Sequence, residues 1–218
     1  MNLDKRLGTA AALVRHGARV ADIGTDHAYL PVYLVQTGVC PSAIASDIGK
    51  GPLEAARHTV TAAGLTDTIS LRLGDGLAGI APDEVDDIVI AGMGGETIAA
   101  ILQAAPWVKN PTLRLILQPM TRAEDLRRFL LTNGFSVLQE RLIQDSRHLY
   151  PVLAAVYTGE VCTDELACYA GFFASEEGRP YRRMMAGHLR RRADGLRHGG
   201  EEREATRLSA LADQLDTL

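Results

Sequence analysis

The sequence has only three cysteines, Cys40, Cys162 and Cys168, in 218 residues, and no two of them form a C-x-x-C pair. An odd, scattered set excludes a disulfide framework, argues against a cysteine-ligated zinc site and points to a reducing compartment. No stretch approaches 18 uninterrupted apolar residues, so no membrane-spanning helix is predicted. The amino-terminal residues lack a long apolar segment and carry Asp4, Lys5 and Arg6, unlike a secretory leader. The expectation is a cytoplasmic protein with no metal and no obligate protein partner. A dominant charge is also missing: 23 Lys and Arg stand against 27 Asp and Glu, a net of −4, which excludes a uniformly basic nucleic-acid binder. The distribution is less even than the sum. Between Arg179 and Arg197 lie seven arginines (179, 182, 183, 190, 191, 192 and 197) against one acid, Asp194.

What is present is the composition of an ordinary folded protein, 46% apolar and 23% charged, long enough for one α/β domain and a smaller appendage. Leu3, Leu7, Ala10, Ala11 and Val14 recur at helical spacing and predict an amphipathic helix over 3–16 lying on a sheet. Seven apolar, β-branched runs follow, at 19–23, 42–47, 68–73, 87–91, 112–118, 135–142 and 149–157. The first five read as buried parallel strands alternating with helices. The last two are too close for a helical crossover and pair as an antiparallel hairpin. This order is the layout of a class I, Rossmann-like methyltransferase sheet. After Tyr157 the sequence turns polar and helix-forming, so the α/β domain is assigned to 1–158 and a helical hairpin to 159–218, turning at Gly199-Gly200. That hairpin reads as too thin to have much core of its own.

The segment Asp22-Ile23-Gly24-Thr25-Asp26-His27-Ala28-Tyr29-Leu30-Pro31 falls where the first strand turns into the next helix, the ligand-holding turn of doubly wound sheets. A dinucleotide loop needs glycine where this one has Asp26 and Tyr29, and a carboxylate there repels a pyrophosphate. Asp22 and Asp26 suit a ligand bearing an ammonium and a sulfonium, as S-adenosylmethionine does; the plainer alternative is a helix cap at Asp26 and a loop-edge acid at Asp22. Asp47, in Ala45-Ser46-Asp47-Ile48, stands 23 residues after Gly24, the spacing of a ribose-hydroxyl acceptor, though an Asp ending a strand is also a turn former. Gly74-Asp75-Gly76-Leu77 offers an acceptor for an adenine amino group beside open backbone, or a plain turn. Ala91-Gly92-Met93-Gly94-Gly95 ends the fourth strand, with glycines whose entropic cost implies close approach of backbone to something, or a tight turn into a helix. Gln118, ending the fifth strand in Leu117-Gln118-Pro119, carries an amide able to pair with a base edge.

These segments, with Leu3-Asp4-Lys5-Arg6-Leu7 before them, resemble in order the bacterial tRNA adenine-N1 methyltransferases that modify adenine 22, over about residues 1–157. The resemblance implies a Rossmann-like domain followed by a small coiled-coil-like helical domain, and methyl transfer from S-adenosyl-L-methionine to adenine N1 in tRNA. It implies Arg6, Asp22, Gly24, Asp26, His27, Asp47, Ile48, Asp75, Gly76, Gly92 and Met93 at the cofactor, and Asp26, Tyr29, Gly94 and Gln118 at the reacting base. Arg179, Arg182, Arg183, Arg190 and Arg191 are the candidate tRNA contacts; the alternative is a solvated face paired with Glu201, Glu202 and Glu204. Two rival functions share the pattern: a small-molecule methyltransferase on the same fold, and a non-catalytic RNA-binding protein with a relic cofactor pocket.

Overall fold

The computed structural model describes residues 2–146 and 148–218. Helix α1 (Lys5–Leu13) starts where the Asp4 carboxylate accepts the Leu7 N–H at 2.8 Å and ends where Val14 turns extended, short of the expected 3–16 at both ends. There follow β1 (Val20–Ile23), α2 (Tyr29–Gln36), β2 (Ala43–Asp47), α3 (Lys50–Ala62), β3 (Ile69–Leu73), β4 (Asp87–Gly94), α4 (Gly95–Gln103), β5 (Arg114–Thr121), α5 (Ala123–Thr132), β6 (Phe135–Asp145) and β7 (His148–Tyr157). The strands form one sheet in the order β3-β2-β1-β4-β5-β7-β6. Neighbours among the first five strands run parallel, and β7 is antiparallel to both β5 and β6. The expected seven-stranded Rossmann-like sheet with its closing hairpin is therefore present.

One expectation fails. No helix lies between β3 and β4, because the connecting residues hold Gly74, Gly76, Gly79 and Pro82, all poor helix formers. Leu77, Ile80 and Val85 still bury their side chains against the sheet, so this irregular crossover covers the face that a helix would have covered. α4 and α5 complete that layer, and α1, α2 and α3 cover the opposite face. Ile88, Ile90, Leu115 and Ile116 are essentially inaccessible, each contributing about 1.5–3 kcal/mol by leaving water.

Beyond the sheet, α6 (Glu165–Ala170), α7 (Ser175–His198) and α8 (Glu202–Thr217) pack together, α7 and α8 turning at Gly199 and Gly200 as expected. Their core is more substantial than the sequence suggested: Tyr181, Met185, Leu189, Leu208, Leu211 and Leu215 are all buried among themselves. Leu142 and Leu149, from the β6–β7 hairpin, extend it toward the sheet.

A buried ion pair fastens the two parts. Arg127 of α5 and Glu140 of β6 are fully inaccessible, with the Arg127 Nε–H donating to Glu140 Oε1 at 3.0 Å. Arg127 also donates to the Cys168 carbonyl at 2.9 Å and to the Tyr181 hydroxyl at 3.0 Å, and Glu140 Oε2 accepts the Phe172 N–H. Two sheet-domain charges are thus satisfied by the helical segment. Burial opposes the guanidinium charge, but Glu140 and Tyr181 hold its pKa above the ordinary arginine value.

Removing one member of such a pair strands the other in a dry interior. Arg127→Met is expected to cost about 3–5 kcal/mol in urea unfolding. The double substitution Arg127→Met/Glu140→Leu recovers only part of that, because the Cys168 carbonyl and Phe172 N–H lose their partners; full recovery would contradict this account of the joint.

Candidate active site

Strand order reverses between β1 and β4, so the loops leaving their carboxyl ends diverge and open a gap at that edge. Backbone hydrogen bonds set the rim: Gly24 and Thr25 N–H donate to the Ser46 carbonyl at 2.8 and 3.0 Å, and Gly74 N–H donates to the Asp47 carbonyl at 3.0 Å. The loops after β1, β2 and β3 are therefore tied edge to edge. After β4 the ladder with β5 is irregular around Met93, and the Gln118 side chain takes over, its Oε1 accepting the Gly92 N–H at 3.1 Å.

The gap is a cavity of about 400 Å³ lined by Arg6, Asp22, Gly24, Asp26, His27, Tyr29, Gly92 and Gln118 among others. Eight of the residues singled out from sequence are brought together there. The turn that holds them is strained: Asp26 and Ala28 both have positive φ, 49° and 55°, a left-handed conformation that costs non-glycine residues about 1–3 kcal/mol and is typical of functional sites. Ala28, not Asp26, is the N-cap of α2, so the capping alternative for Asp26 does not apply. His27 and Tyr29 stack with centroids 5.1 Å apart and planes within 6°, and Tyr29 is 44% exposed at the cavity mouth.

Asp22 is buried, with the Thr25 hydroxyl donating to it at 2.7 Å. Burial, reinforced by the nearby Asp47 charge, pushes its carboxyl up to about 6 although the Thr25 hydrogen bond pulls the other way. Arg6 donates to Asp4 at 2.9 Å and to the Met120 thioether at 2.9 Å, while its buried Nε–H has no acceptor among the described residues. At Gly24, φ is +74° and a Cβ would strike the Met93 methyl, so Met93 closes down on this turn. Asp47 accepts the Gly49 N–H through Oδ1 at 2.7 Å, and the neighbouring Ile48 is 71% exposed.

Other residues lie elsewhere. Asp75 and Gly76 line a second cavity, of about 430 Å³, with Ile101 and Trp107. Gly94 is the N-cap of α4, and the close approach that the glycine cluster implied occurs at Gly95, where a Cβ would strike the Arg122 carbonyl rather than a ligand. Gln118 is buried and its amide is already engaged, with Nε2 donating to the Pro119 carbonyl at 3.0 Å, so it does not present a free edge to a base. The arginine run also divides. Arg182 is buried against the carboxyl-terminal Leu218, Arg190 pairs with Asp213 and Asp216 at 2.7 Å each, and Arg179 pairs with Glu176. Of the expected glutamate partners Glu202 pairs with the run, 3.7 Å from Arg197, and Glu204 acts on Arg192 at longer range. Arg183, Arg191 and Arg192 are exposed with no carboxylate within 4 Å among the described residues. Thr25 and Asp4, the partners that fix Asp22 and Arg6, were not singled out from sequence, although both stand inside motifs that were.

A methyltransferase-domain family profile matches residues 3–153. The tRNA (adenine(22)-N1)-methyltransferase of Bacillus subtilis is 43% identical over 155 residues, which cover 71% of this chain and 65%, just under two thirds, of that protein. The crystal structure of the B. subtilis m1A22 tRNA methyltransferase TrmK superposes with a TM-score of 0.88 at 31% identity, covering 99% of each chain. The chain belongs to the tRNA (adenine(22)-N1)-methyltransferase family. A Streptococcus pneumoniae protein solved in complex with S-adenosyl-L-methionine matches with a TM-score of 0.83 at 33% identity over 99% of this chain and all of that one.

The cavity of this family member fits that cofactor on its own chemistry. An under-satisfied guanidinium faces a carboxylate need, and a buried carboxylate whose ionisation is penalised gains from an arriving ammonium. Because burial pushes Asp22 up to about 6 while an α-amino group titrates at about 8, cofactor affinity is expected to be highest at about pH 7, to fall toward tenfold per unit below 6 and to weaken again above about 8 as the ammonium is lost, read by calorimetry; Asp22→Asn is expected to bind weakly at every pH. The same raised pKa destabilises the ligand-free fold as pH rises from about 4 through 6, so Asp22→Asn should raise its stability at pH 8 by up to roughly 3 kcal/mol. Wild-type affinity that did not change between pH 5 and 8 would contradict this role for Asp22.

Proposed function

We propose that this chain transfers the methyl group of S-adenosyl-L-methionine to N1 of adenine 22 in tRNA, a substrate that places the reaction in the cytoplasm. The observation that carries the reading is a cavity walled by carboxylates and glycine backbone with an exposed, stacked His27–Tyr29 pair at its mouth. Acids there suit a cationic cofactor and repel a pyrophosphate, and paired ring faces suit a planar base.

In this reading Arg6 holds the cofactor carboxylate, Asp22 its ammonium and Asp47 its ribose hydroxyls. Ile48 covers the adenine ring, Asp75 accepts its amino group from the next loop along the same edge, and the open backbone of Gly92 allows close approach, while Met93 and Ile101 fill the corresponding space at Gly24 and Gly76 behind the cofactor. The cofactor, when bound, supplies an electrophilic sulfonium methyl. Adenine N1 carries an in-plane lone pair, so the chain need not remove a proton; its task is to extrude the base from its stack and hold N1 in line. Tyr29 and His27 receive the extruded ring. The ring becomes cationic on methylation, and the Asp26 carboxylate and the backbone carbonyls of Gly92 to Gly94 stabilise that charge as it develops. Gln118 acts through Gly92, as a positioning residue. Arg183, Arg191 and Arg192, held in no ion pair within 4 Å among the described residues, supply charge for tRNA phosphates.

The test is incubation with S-adenosylmethionine and unmodified tRNA transcripts, followed by nucleoside mass spectrometry and mapping. The expected mark is N1-methyladenosine at position 22. Asp47→Ala is expected to abolish it through cofactor affinity. Asp26→Asn, which keeps the left-handed backbone and removes only the charge, is expected to lower kcat about 10- to 100-fold. No methylated nucleoside on any transcript would overturn the proposal.

A further inference from the structure

A second opening, a cleft of about 580 Å³, lies between the sheet edge and α7. β5 ends and the antiparallel β7 begins at the same edge, and they contribute Met120, His148 and Tyr150 to one wall, while α7 contributes His188 and Arg192 to the other. The cleft shares a partition with the cofactor cavity. Arg6, in the cavity lining, lies 5.8 Å over the Tyr150 ring and donates to Met120 Sδ. The rings of His148 and Tyr150 stack with centroids 6.0 Å apart and planes at 27°, forming an aromatic platform. The two arginines of the cleft differ. Arg122 on its wall pairs with Asp125 at 2.6 Å and with the lining Glu124 at 3.9 Å, whereas Arg192 makes no ion pair within 4 Å among the described residues and feels Glu204 only at longer range.

A base extruded into the cavity leaves its neighbour without a stacking partner, and an aromatic platform with an exposed cation across from it is the usual replacement for single-stranded nucleic acid. We propose that this cleft holds the nucleotide flanking the target adenosine, its base stacked on Tyr150 and its phosphate on Arg192. The assignment rests on reading the adjoining cavity as the methyl-acceptor site. It makes Tyr150 and Arg192 binding residues for the RNA, contributed from both sides of the joint that Arg127 and Glu140 hold.

The probes are a stem-loop RNA with a central loop adenosine and two derivatives, each with an abasic ribose on one side of that adenosine. Binding is measured by fluorescence anisotropy with S-adenosylhomocysteine present. In the wild-type protein one abasic derivative is expected to bind about tenfold more weakly than the parent. Tyr150→Leu, which keeps apolar bulk, is expected to bind all three equally, at about the level of the weaker derivative. Arg192→Gln, a change at an exposed position, is expected to weaken all three alike and to lower the salt slope by about one. Discrimination that survives Tyr150→Leu, its absence in the wild type, or an Arg192→Gln protein with unchanged affinity and salt slope would overturn the assignment. Because the readout is binding, the two readings fail separately. The expected pattern without methylation of any tRNA would contradict the proposed reaction alone, and tRNA methylation with an unchanged Tyr150→Leu would contradict the cleft alone.

Discussion

The site exists because β1 and β4 are neighbours whose connections leave in opposite directions. Up to Ile23 and Ile90 the two strands are in register and fully bonded; beyond that point the chains diverge and their backbone groups must find other partners. Gly24 and Thr25 find the Ser46 carbonyl, and Gly92 finds the Gln118 amide. What remains is a gap with fixed walls and a carboxylate, Asp22, that the sheet itself buries. The raised pKa of that carboxylate is a direct consequence of its position one residue before the end of β1, and a cationic ligand is the simplest way to relieve it.

The helical segment adds a second wall, and its placement depends on the Arg127–Glu140 pair. Without those charges α5, β6, Cys168 and Tyr181 would lose their common partner, and the cleft bounded by β5, β7 and α7 would have no fixed width. In the proposed reading cavity and cleft together form one edge that faces the RNA, with Arg6, Tyr150 and Met120 between them. Buried ion pairs add little net stability as a class, so this one is better understood as setting orientation than as holding the fold together.

The sheet was legible in the sequence because buried parallel strands are continuous apolar runs, and the turn from Asp22 to Pro31 was legible because its acids and missing glycines speak directly about ligand charge. The crossover from β3 to β4 was read as helical only by analogy with the other crossovers of an alternating sheet; Gly74, Gly76, Gly79 and Pro82 carried the better signal. Seven arginines look alike in a string of letters, yet Arg182 is interior and Arg190 is neutralised by two aspartates more than twenty residues away. The same limit hid the partner of Gln118, a backbone N–H on another strand, and it hid Arg127, which gives no local sign that Glu140 and Tyr181 are waiting for it. Local chemistry was readable; pairings set by the tertiary fold were not.

The central claim is that one RNA-facing edge spans both the sheet and the helical segment. Hydrogen–deuterium exchange of the cofactor-bound protein, with and without unmodified tRNA, tests it most directly. Protection on tRNA binding is expected in peptides covering 24–31, 148–151 and 184–192 together. Protection confined to the helices, or to the sheet edge alone, would contradict the account.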